Sequence, residues 1–588
     1  MTICGMASKI RRSLKIDEVP TCAFPNLSLP MSVFSSPWLR AVPLIASCLA
    51  QGVAFAQPIS DAELQRRQAQ QQEQAKSRAN NAPDVFTPTG PVQRGEIVLP
   101  AEQPCFAIRE IEWHGAERFE WINGDANLVL NQCVGGKGLR LLQEHLTGKL
   151  IERGYVTGRV LIPEQNLASG RLTVQIVPGR IGQVRDQGDA AGDSRMAFPS
   201  ATGALLNQRD LDQSLENIRR LSGQQAVEFD LLPGANQGDS DIVIKHPPSK
   251  RWHGLITLDD SGADSTGKYQ LGSVLAIDSP LHLYDLLTIT LNNNANVSND
   301  TFGTTSSSIN WNMPFGYWLL QMGVNQSHYK QTVAGFSGAI VYSGHSRGAE
   351  IGIGYVPYRT AKAKATLLFK LTRKASDSDI DDTEVMVQRR DVAGYEASFN
   401  HRQYLGAATV DLGFGFRASL PSRSRVPGLI VGAADWNGHY SIETLNADVS
   451  FPFQLAAQNL RYQSSFHAQH APTRLPSTEF FSIANRYTVR GFDGAATLAA
   501  EDGWLVRNDL AWSIGRSGQD LYLALDHGHV GGPSTDQLLG RGLTGMALGW
   551  RGRIRNISYD LTAGWPLAHP QGFNTEQPTY TASVAAEF

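Results

Sequence analysis

Apolar and polar positions alternate with a period of two through most of the second half of the chain. Residues 308–313 and 317–324 have this pattern and are separated by a Pro-Phe-Gly turn at 314–316. The last ten residues repeat it, with Tyr580 and Phe588 at the two ends of one face and small or polar residues on the other. Such alternation predicts strands that have two chemically different faces.

A helical period of apolar residues appears only in the first half. One predicted helix ends at Gly154 and carries four leucines on a single face: Leu139, Leu142, Leu146 and Leu150. A second predicted helix lies at about 207–222, and short alternating segments flank both helices. Because the order of elements is similar in the two stretches, residues 105–180 and 181–250 are predicted to form two small α+β domains.

The first 56 residues have the features of an export signal. A mostly apolar stretch, 41–50, precedes a small-residue cleavage site that ends at Ala56. The pattern predicts a secretory signal region, 1–56, cleaved after Ala56, with Met31 as an alternative start. Residues 45–48 resemble a lipoprotein cleavage box, but the apolar stretch before them is short, which favours cleavage after Ala56.

The segment after the signal is polar. Residues 61–78 contain neither Gly nor Pro, and the capping box at 60–63 predicts a helix start, so we expect a polar helix within 57–80. Since its apolar stripe is poor, this helix has to lie in a polar channel or in water, and a mobile tail is the alternative. Five prolines predict an extended linker over 81–104.

Composition narrows the class of protein. The formal net charge is −3, so no basic field indicates binding to nucleic acid. No apolar run is long enough for a membrane-spanning helix, which excludes a helical membrane protein. Fifteen of the 16 tyrosines and eight of the 11 tryptophans lie in residues 251–588. Aromatic residues of this kind gather where strands meet the two membrane interfaces.

Residues 251–588 are therefore predicted to form a transmembrane antiparallel β-barrel. In lipid every backbone amide has to be paired, so the sheet has to close on itself. With roughly 9–11 residues needed per crossing, about 16 strands fit. A soluble β-sandwich or propeller is the alternative, and it explains neither the aromatic load nor the terminal Phe588.

Two of the five cysteines, Cys105 and Cys133, follow the predicted cleavage site. An even pair in an exported chain predicts one disulfide bond. Its expected role is structural, because the chain has no Cys-x-x-Cys motif.

Two motifs point to other chemistry and are set aside. Residues 344–348 match the G-x-S-x-G nucleophile pattern around Ser346, but strand-like residues on both sides predict a hairpin turn there. The acidic run from Asp377 to Glu384 lacks the Gly and the final Glu of a calcium loop, and a solvated loop is predicted. Without a P-loop or paired zinc ligands, we expect no cofactor, no metal and no enzyme activity.

Several motifs within residues 57–588 resemble those of a known family. They are Cys105-Phe106-Ala107-Ile108 and residues 153–160 in the first α+β domain, residues 211–217 and Leu232-Pro233-Gly234 in the second, and Asp259-Asp260-Ser261-Gly262 at the barrel entry. The most specific match is Val489-Arg490-Gly491-Phe492, which follows Glu479 and is paired with Asp526 and Gly528 of a later strand. In this order the motifs resemble the two-partner secretion transporters, the haemolysin secretion/activation and filamentous-adhesin secretion family of the outer-membrane barrel-assembly superfamily.

The resemblance implies a fold and a site. The two α+β domains would be polypeptide-transport-associated (POTRA) domains, residues 57–80 a plug helix, and the loop near 476–500 would fold back into the barrel. In the family, an Arg at the tip of this loop binds an acid on the barrel wall. Here these residues are Arg490 and Asp526.

Strand parity supports this pairing independently. Asp526 lies on the face opposite three leucines of its strand: Leu521, Leu523 and Leu525. A charge on the lipid face costs about 2–4 kcal/mol near the midplane, so Asp526 is expected to face the lumen. The planar guanidinium of Arg490 suits a carboxylate, and Gly491 allows a tight tip. The alternative is that Arg490 is a solvated loop residue.

The resemblance also implies a function. The protein would be a transporter in the outer membrane of a Gram-negative bacterium, with its POTRA domains in the periplasm, and would secrete a large exoprotein partner. Its other partners would be outer-membrane lipids and the barrel-assembly machinery, which would insert it by way of the C-terminal strand with Tyr580 and Phe588. The alternatives are a barrel-assembly insertase, a porin with periplasmic decoration, and a hydrolase acting through Ser346.

Overall fold

The computed structural model describes Val85 and residues 98–296, 302–334, 338–420 and 438–588. The predicted signal region and plug helix lie outside the described residues, and so does most of the predicted linker. The described residues belong to one structural unit, Gln57–Phe588. Within them, no helix combines the length and the apolarity that crossing a membrane would require.

The first domain is a small α+β unit. Its strands and helices are β1 Phe106–Ala107, β2 Glu110–His114, α1 Asn123–Ala126, β3 Cys133–Val134, α2 Gly136–Glu152, β4 Arg159–Leu161 and β5 Arg171–Val177. Residues 106–113 alternate like a single strand but form two, because Ile108 turns into the core and its N–H donates to the carbonyl of Gln132. β1 therefore pairs with β3, whereas β2 pairs with β5.

The core of this domain forms where the leucine stripe predicts it. Leu142, Leu146 and Leu150 of α2 are fully buried against the sheet β2-β5-β4. The predicted disulfide bond is confirmed, and it joins Cys105 before β1 to Cys133 in β3. It therefore fastens the small sheet β1-β3, which has only two residue pairs.

The second domain repeats this topology. Its elements are β6 Arg180–Gly188, α3 Ser194–Ala197, α4 Gln208–Arg219, β7 Glu228–Pro233 and β8 Asp239–His246. Each domain has a three-stranded sheet whose central strand, β5 or β8, pairs with one parallel and one antiparallel neighbour. The similar order of predicted elements in the two stretches thus reflects the same fold.

The remaining residues form a closed antiparallel barrel of sixteen long strands, and the two-residue strand Thr383–Glu384 extends one hairpin. The sixteen are β9 Trp252–Asp259, β10 Gln270–Asp278, β11 Leu286–Asn294, β12 Gly303–Phe315, β13 Trp318–Ala334, β14 Ala339–Arg359, β15 Ala363–Ile380, β16 Arg390–Leu405, β17 Ala408–Ser419, β18 Ser441–Leu455, β19 Gln458–His470, β20 Asp502–Ser513, β21 Gln519–Gly531, β22 Gly542–Ile554, β23 Ile557–Ala568 and β24 Thr579–Glu587. β24 pairs with β9 and closes the sheet. The predicted barrel of about 16 strands is confirmed.

The alternation of the strands sorts their side chains between the two faces of the wall. Along β21, Leu523 is 50% exposed and Leu525 is 52% exposed, whereas Asp526 is 0% exposed. The exposed leucines form the outer, lipid-facing surface, and Asp526 points inward. The hydrophobic pattern that predicted the strands therefore also decides which residues line the bore.

Two sequence predictions about local structure are wrong. Residues 344–348 do not form a hairpin turn but lie within β14, where Ser346 pairs with Ser327 and Ser376 of the neighbouring strands. Asp377 and Asp379 lie in β15, so the loop predicted for the whole acidic run is limited to the turn at Asp381 and Asp382. Both stretches lie at the ends of long strands that are farthest from the second α+β domain. Water rather than lipid surrounds these ends, so polar residues can remain in a paired sheet there.

Candidate functional site

The loop between β19 and β20, residues 471–501, folds back against the inner wall of the barrel. Within it, Phe481–Ile483 and Leu498–Ala500 form a short antiparallel pair. Apolar loop residues pack against inward-facing wall residues in one buried cluster, which includes Ile483, Val489, Phe492, Leu505, Val530 and Leu543. Burial of this apolar area holds the loop inside the barrel.

The tip of the loop carries an ion pair that is almost completely buried. The Nε and Nη2 of Arg490 donate to the two carboxylate oxygens of Asp526, at 2.6 and 2.7 Å. The backbone N–H of Arg490 also donates to Asp526, at 3.0 Å. Burial of Arg490 favours loss of its charge, but the hydrogen bonds and the negative charge of Asp526 outweigh burial and raise its pKa. The guanidinium therefore stays charged, and three contacts fix the tip.

A second acid, which the motif comparison did not identify, completes this site. Asp509 on β20 lies 2.6 Å from Nη1 of Arg490. Arg551 on β22 lies 3.8 Å from Asp509 and 3.7 Å from Asp520. Three acids of β20 and β21 thus alternate with Arg490 of the loop and Arg551 of β22, so each of these two arginines lies beside two carboxylates. From the sequence, Asp509 could be identified only as an inward-facing position by the alternation of its strand. That alternation does not show which inward residues contact the loop tip.

Glycines allow the tip to approach the wall. Gly491 has a φ of +98°, and a Cβ on it would lie 2.5 Å from the carbonyl oxygen of Trp565. On the wall, a Cβ at Gly545 would lie 1.9 Å from the carbonyl oxygen of Arg490, and one at Gly564 would lie 2.8 Å from the Cα of Gly491. Close contact between two backbones is possible only because both sides lack a side chain here.

Gly528 has a related role. It lies two residues after Asp526 on the same face of β21, and a Cβ there would lie 2.9 Å from side-chain atoms of Ile483 and Val489. The Asp-x-Gly spacing therefore combines an anion for Arg490 with space for Val489. Phe492, the last residue of the loop motif, is 2% exposed and its ring packs edge-on against that of Phe573.

The base of the loop has a second buried anion. Glu479 is 4% exposed and accepts a hydrogen bond of 2.8 Å from Lys374 of β15, and Arg417 of β17 lies 3.2 Å from it. Burial opposes ionisation of this carboxyl, but the two cations outweigh it, so the pKa of Glu479 is lowered. The loop is thus bound to β15 and β17 at its base and to β20 and β21 at its tip.

A third contact links the loop to the strands that close the barrel. Arg486 donates to Asp260 at 2.7 Å, immediately after β9, and the same carboxylate oxygen accepts the backbone N–H of Ala582 in β24 at 3.0 Å. A cavity of about 230 Å³ lies beside the tip and is lined by Arg486, Arg490, Arg551 and other polar residues. This cavity leaves room for water beside the buried ion pair.

The second α+β domain is bound to three turns at one end of the barrel. Tyr317, in the β12–β13 turn, donates its hydroxyl to Asp210 of α4 at 2.6 Å, and Asn217 donates to the carbonyl of Gly316 at 2.8 Å. Arg220 donates to the carbonyl of Tyr284, in the β10–β11 turn, at 2.8 Å. Burial lowers the pKa of Arg220 to about 10.

The third turn contributes two cations. Arg359, at the end of β14, and Lys364, at the start of β15, bind Glu216 of α4 at 2.9 and 2.7 Å. Arg359 also donates to Gln213 and to the backbone carbonyl of Val85. Burial raises the pKa of Glu216, but the two cations outweigh this and lower it below its ordinary value. The linker, the second α+β domain and the barrel therefore all contact the side chain of Arg359. No sequence motif predicts this junction.

The two residues predicted as a C-terminal signal lie at opposite ends of β24. Tyr580 is 69% exposed on the outer face. Phe588 exchanges two backbone hydrogen bonds with Gly254 of β9, and its ring lies 6.2 Å from that of Trp252. Phe588 therefore helps to close the barrel beside the second α+β domain.

Comparison with known proteins agrees with this architecture. The protein-family model for the haemolysin secretion/activation proteins ShlB, FhaC and HecB matches residues 238–552. The model for ShlB-type POTRA domains matches residues 106–179, and a second POTRA model matches 180–233. The two α+β domains thus correspond to two POTRA domains in front of the barrel.

Curated relatives and a solved structure cover nearly the same length. The outer membrane transporter CdiB-2 of Burkholderia pseudomallei strain 1026b is 30% identical over 93% of this chain and 98% of its own. The haemolysin transporter protein ShlB of Serratia marcescens is 25% identical over 83% of this chain and 86% of its own. The structure of CdiB from Escherichia coli is 26% identical, covers 91% of this chain and 100% of its own, and has a TM-score of 0.79.

These matches confirm the predicted resemblance, and they support secretion over the barrel-assembly insertase. The relatives are transporters of the outer membrane, and the family's POTRA domains lie in the periplasm. The chain belongs to the haemolysin secretion/activation protein family ShlB/FhaC/HecB.

Proposed function

We propose that this outer-membrane transporter exports one large exoprotein from the periplasm to the cell surface and does no covalent chemistry on it. The observation that carries the proposal is a loop clamped inside a closed barrel, with the second of two POTRA domains bound at one mouth of the same barrel. A binding domain at the entrance and a movable obstruction in the bore are the two parts that controlled export of a chain requires.

The POTRA domains, which we take as residues 105–180 and 181–250, would capture the partner by strand addition. β7 is an edge strand of its sheet, and its Leu231 and Leu232 are 37% and 49% exposed. An extended segment can add to such an edge through backbone hydrogen bonds and place side chains on exposed apolar residues. Backbone pairing suits a partner that is unfolded when it arrives.

The loop of residues 471–501 would be the obstruction that export displaces, together with the predicted plug helix. Its tip is held by charged side chains and not by apolar contacts alone. In a polar lumen these side chains can exchange their contacts with one another for contacts with water or with the passing chain. The polar bore would pass the chain without binding it tightly. Because the sequence contains no nucleotide motif, folding of the partner outside the cell would supply the direction.

We further propose that the other partners are lipids and the barrel-assembly machinery. Outer-leaflet and inner-leaflet lipids would cover the exposed apolar face, on which Leu523, Leu525 and Tyr580 lie. The C-terminal strand, which ends at Phe588, would be the segment that the assembly machinery reads during insertion.

Crosslinking in cells tests the capture step. A photo-reactive residue at Leu232 should crosslink to an exoprotein that is arrested during export. The same residue at Glu144, on the exposed face of α2, serves as the matched control and should crosslink much less. Equal yields at the two positions, or no crosslink at Leu232, would contradict capture at this edge.

A further inference from the structure

The two motifs that sequence analysis set aside lie side by side in the structure. His345, from the G-x-S-x-G stretch, lies in β14 directly opposite Asp377, from the acidic run in β15. The ligand atoms of His345, Asp377 and Asp379 all lie within 4.8 Å of one another. An imidazole and two carboxylates on two paired strands therefore form a compact donor set.

These side chains lie on the outer face of the barrel. His345 has the same strand parity as Ile351 and Ile353, which are 45% and 46% exposed, and Asp377 has the parity of the exposed Leu371. At about 3.3 Å per residue, Asp377 lies roughly 20 Å along its strand beyond Leu371.

The donor set is therefore beyond the apolar band, where charged side chains carry no lipid penalty. The second POTRA domain contacts the opposite ends of the same two strands, β14 and β15, at Arg359 and Lys364. The donor set consequently faces the outside of the cell.

The charge of the set is not balanced by neighbouring side chains. Asp377 and Asp379 point to the same face two residues apart, and among the described residues neither carboxylate forms an ion pair or a hydrogen bond. Arg347 and Lys330 have the same outward parity, yet neither lies within 4 Å of these carboxylates. A bound cation would offset the repulsion between the two acids.

We propose that His345, Asp377 and Asp379 form a binding site for a divalent transition metal of the Zn²⁺ class. Zinc accepts imidazole nitrogen and carboxylate oxygen at about 2.0–2.2 Å, and three protein ligands with a water molecule complete a tetrahedron. Mg²⁺ and Ca²⁺ prefer sites made only of oxygen, so the imidazole selects against them. The ring of His328 lies 4.4 Å from that of His345 and supports the imidazole from β13.

The site is separate from the export path, because it lies outside the wall. An ion held there would join β14 to β15 beyond the membrane, in addition to the backbone hydrogen bonds between them. It would thus stiffen the rim of the barrel on the cell surface without touching the loop or the POTRA domains.

Calorimetry on the full chain tests the proposal. The protein is purified in detergent with a histidine-free tag, stripped with a chelator, and titrated with Zn²⁺ and, separately, with Mg²⁺. We expect one saturable Zn²⁺ site per chain and at least tenfold weaker binding of Mg²⁺. Co²⁺ in place of Zn²⁺ should give the visible absorption of a four-coordinate ion.

Single variants identify the ligands. H345A and D377N should each abolish the saturable site, whereas H569A, which removes an exposed histidine elsewhere, should leave it unchanged. Heat-modifiable migration on gels shows that each variant keeps a folded barrel, and D379N replaces any variant that does not. Absence of a saturable Zn²⁺ site, equal binding of Mg²⁺, or unchanged Zn²⁺ binding in folded H345A and D377N would overturn the assignment.

Discussion

At the scale of single residues, the clamp depends on a few side chains with strict geometry. Arg490 and Asp526 could be predicted from the sequence, because the loop motif marks one and the alternation of leucines along β21 orients the other. Asp509 and Gly545 could not, because their roles depend on which strands the loop tip reaches. A single inward-facing acid and a glycine within a strand belong to no sequence motif that would mark them as functional.

Removing the clamp should release the loop without unfolding the barrel. Breaking one side of a buried ion pair costs about 3–5 kcal/mol, and here that cost is local to the tip. In Arg490→Ala, Asp526→Asn and the double variant, we expect similarly faster cleavage of residues 471–501 by a protease in detergent. Arg373→Ala, which breaks an exposed pair with Asp391, is the control and should cleave at the wild-type rate.

If the double variant lost as much protease resistance as the two single variants together, Arg490 and Asp526 would act independently rather than as a pair.

A methyl group on the wall should have the same effect as loss of the clamp. In Gly545→Ala the new Cβ would lie 1.9 Å from the carbonyl oxygen of Arg490, so the tip has to move. Overpacking of this kind costs about 1–3 kcal/mol. Gly531→Ala is the matched control, since its Cβ would lie 3.8 Å from its nearest neighbour. Equal protection of the loop in the two variants would contradict close contact between tip and wall.

At the scale of elements, the sequence predicts strands well where lipid enforces alternation and poorly where it does not. Residues 344–348 and Asp377 lie in β14 and β15, at the ends that extend beyond the apolar band. Outside lipid both faces of a strand can be polar, so the period of two disappears although backbone pairing continues. The predicted turn and loop were wrong for this reason.

The attachment of α4 to the barrel should depend on pH through Glu216. Its pKa in the folded protein is lowered, so its ion pairs stabilise docking above the ordinary pKa of a Glu, about 4.3. That stabilisation is lost as the pH falls through the lowered pKa. Spin labels at Arg195→Cys and Lys362→Cys should therefore report a defined distance at neutral pH that broadens under acid conditions.

Glu216→Gln should broaden the same distance distribution at neutral pH and reduce its change with acid. A narrow distribution in this variant at neutral pH would show that the other contacts of α4, through Asp210 and Asn217, suffice for docking.

The disulfide bond should stabilise the first POTRA domain independently of the barrel. It closes a loop of 28 residues, for which loop entropy predicts about 3–4 kcal/mol. Replacing Cys105 and Cys133 together by alanine should lower the free energy of unfolding of this domain by that amount. Hydrogen exchange of the α2 amides in the full chain measures it, with the α4 amides as an internal control that should not change.

At the scale of the whole molecule, export depends on the order of parts along one chain. Composition, alternation and motifs predict two POTRA domains, a barrel of about sixteen strands and an inward loop. They do so because the barrel turns its apolar face to lipid, whereas the POTRA domains and the loop bury their apolar residues inside the protein. The junction at Arg359, which binds α4 and the carbonyl of Val85, does not follow from them. It arises only when distant segments meet in the folded protein.

Control of export by the clamped loop is measured by the amount of exoprotein that reaches the surface of cells producing Arg490→Ala. We expect this barrel to be inserted at the wild-type level and the surface exoprotein to fall by at least about tenfold, because breaking the buried pair costs about 3–5 kcal/mol at the tip and leaves the loop without a fixed position in the bore that the exoprotein has to pass. Wild-type secretion by a correctly inserted Arg490→Ala barrel would contradict the claim that the clamped loop controls export.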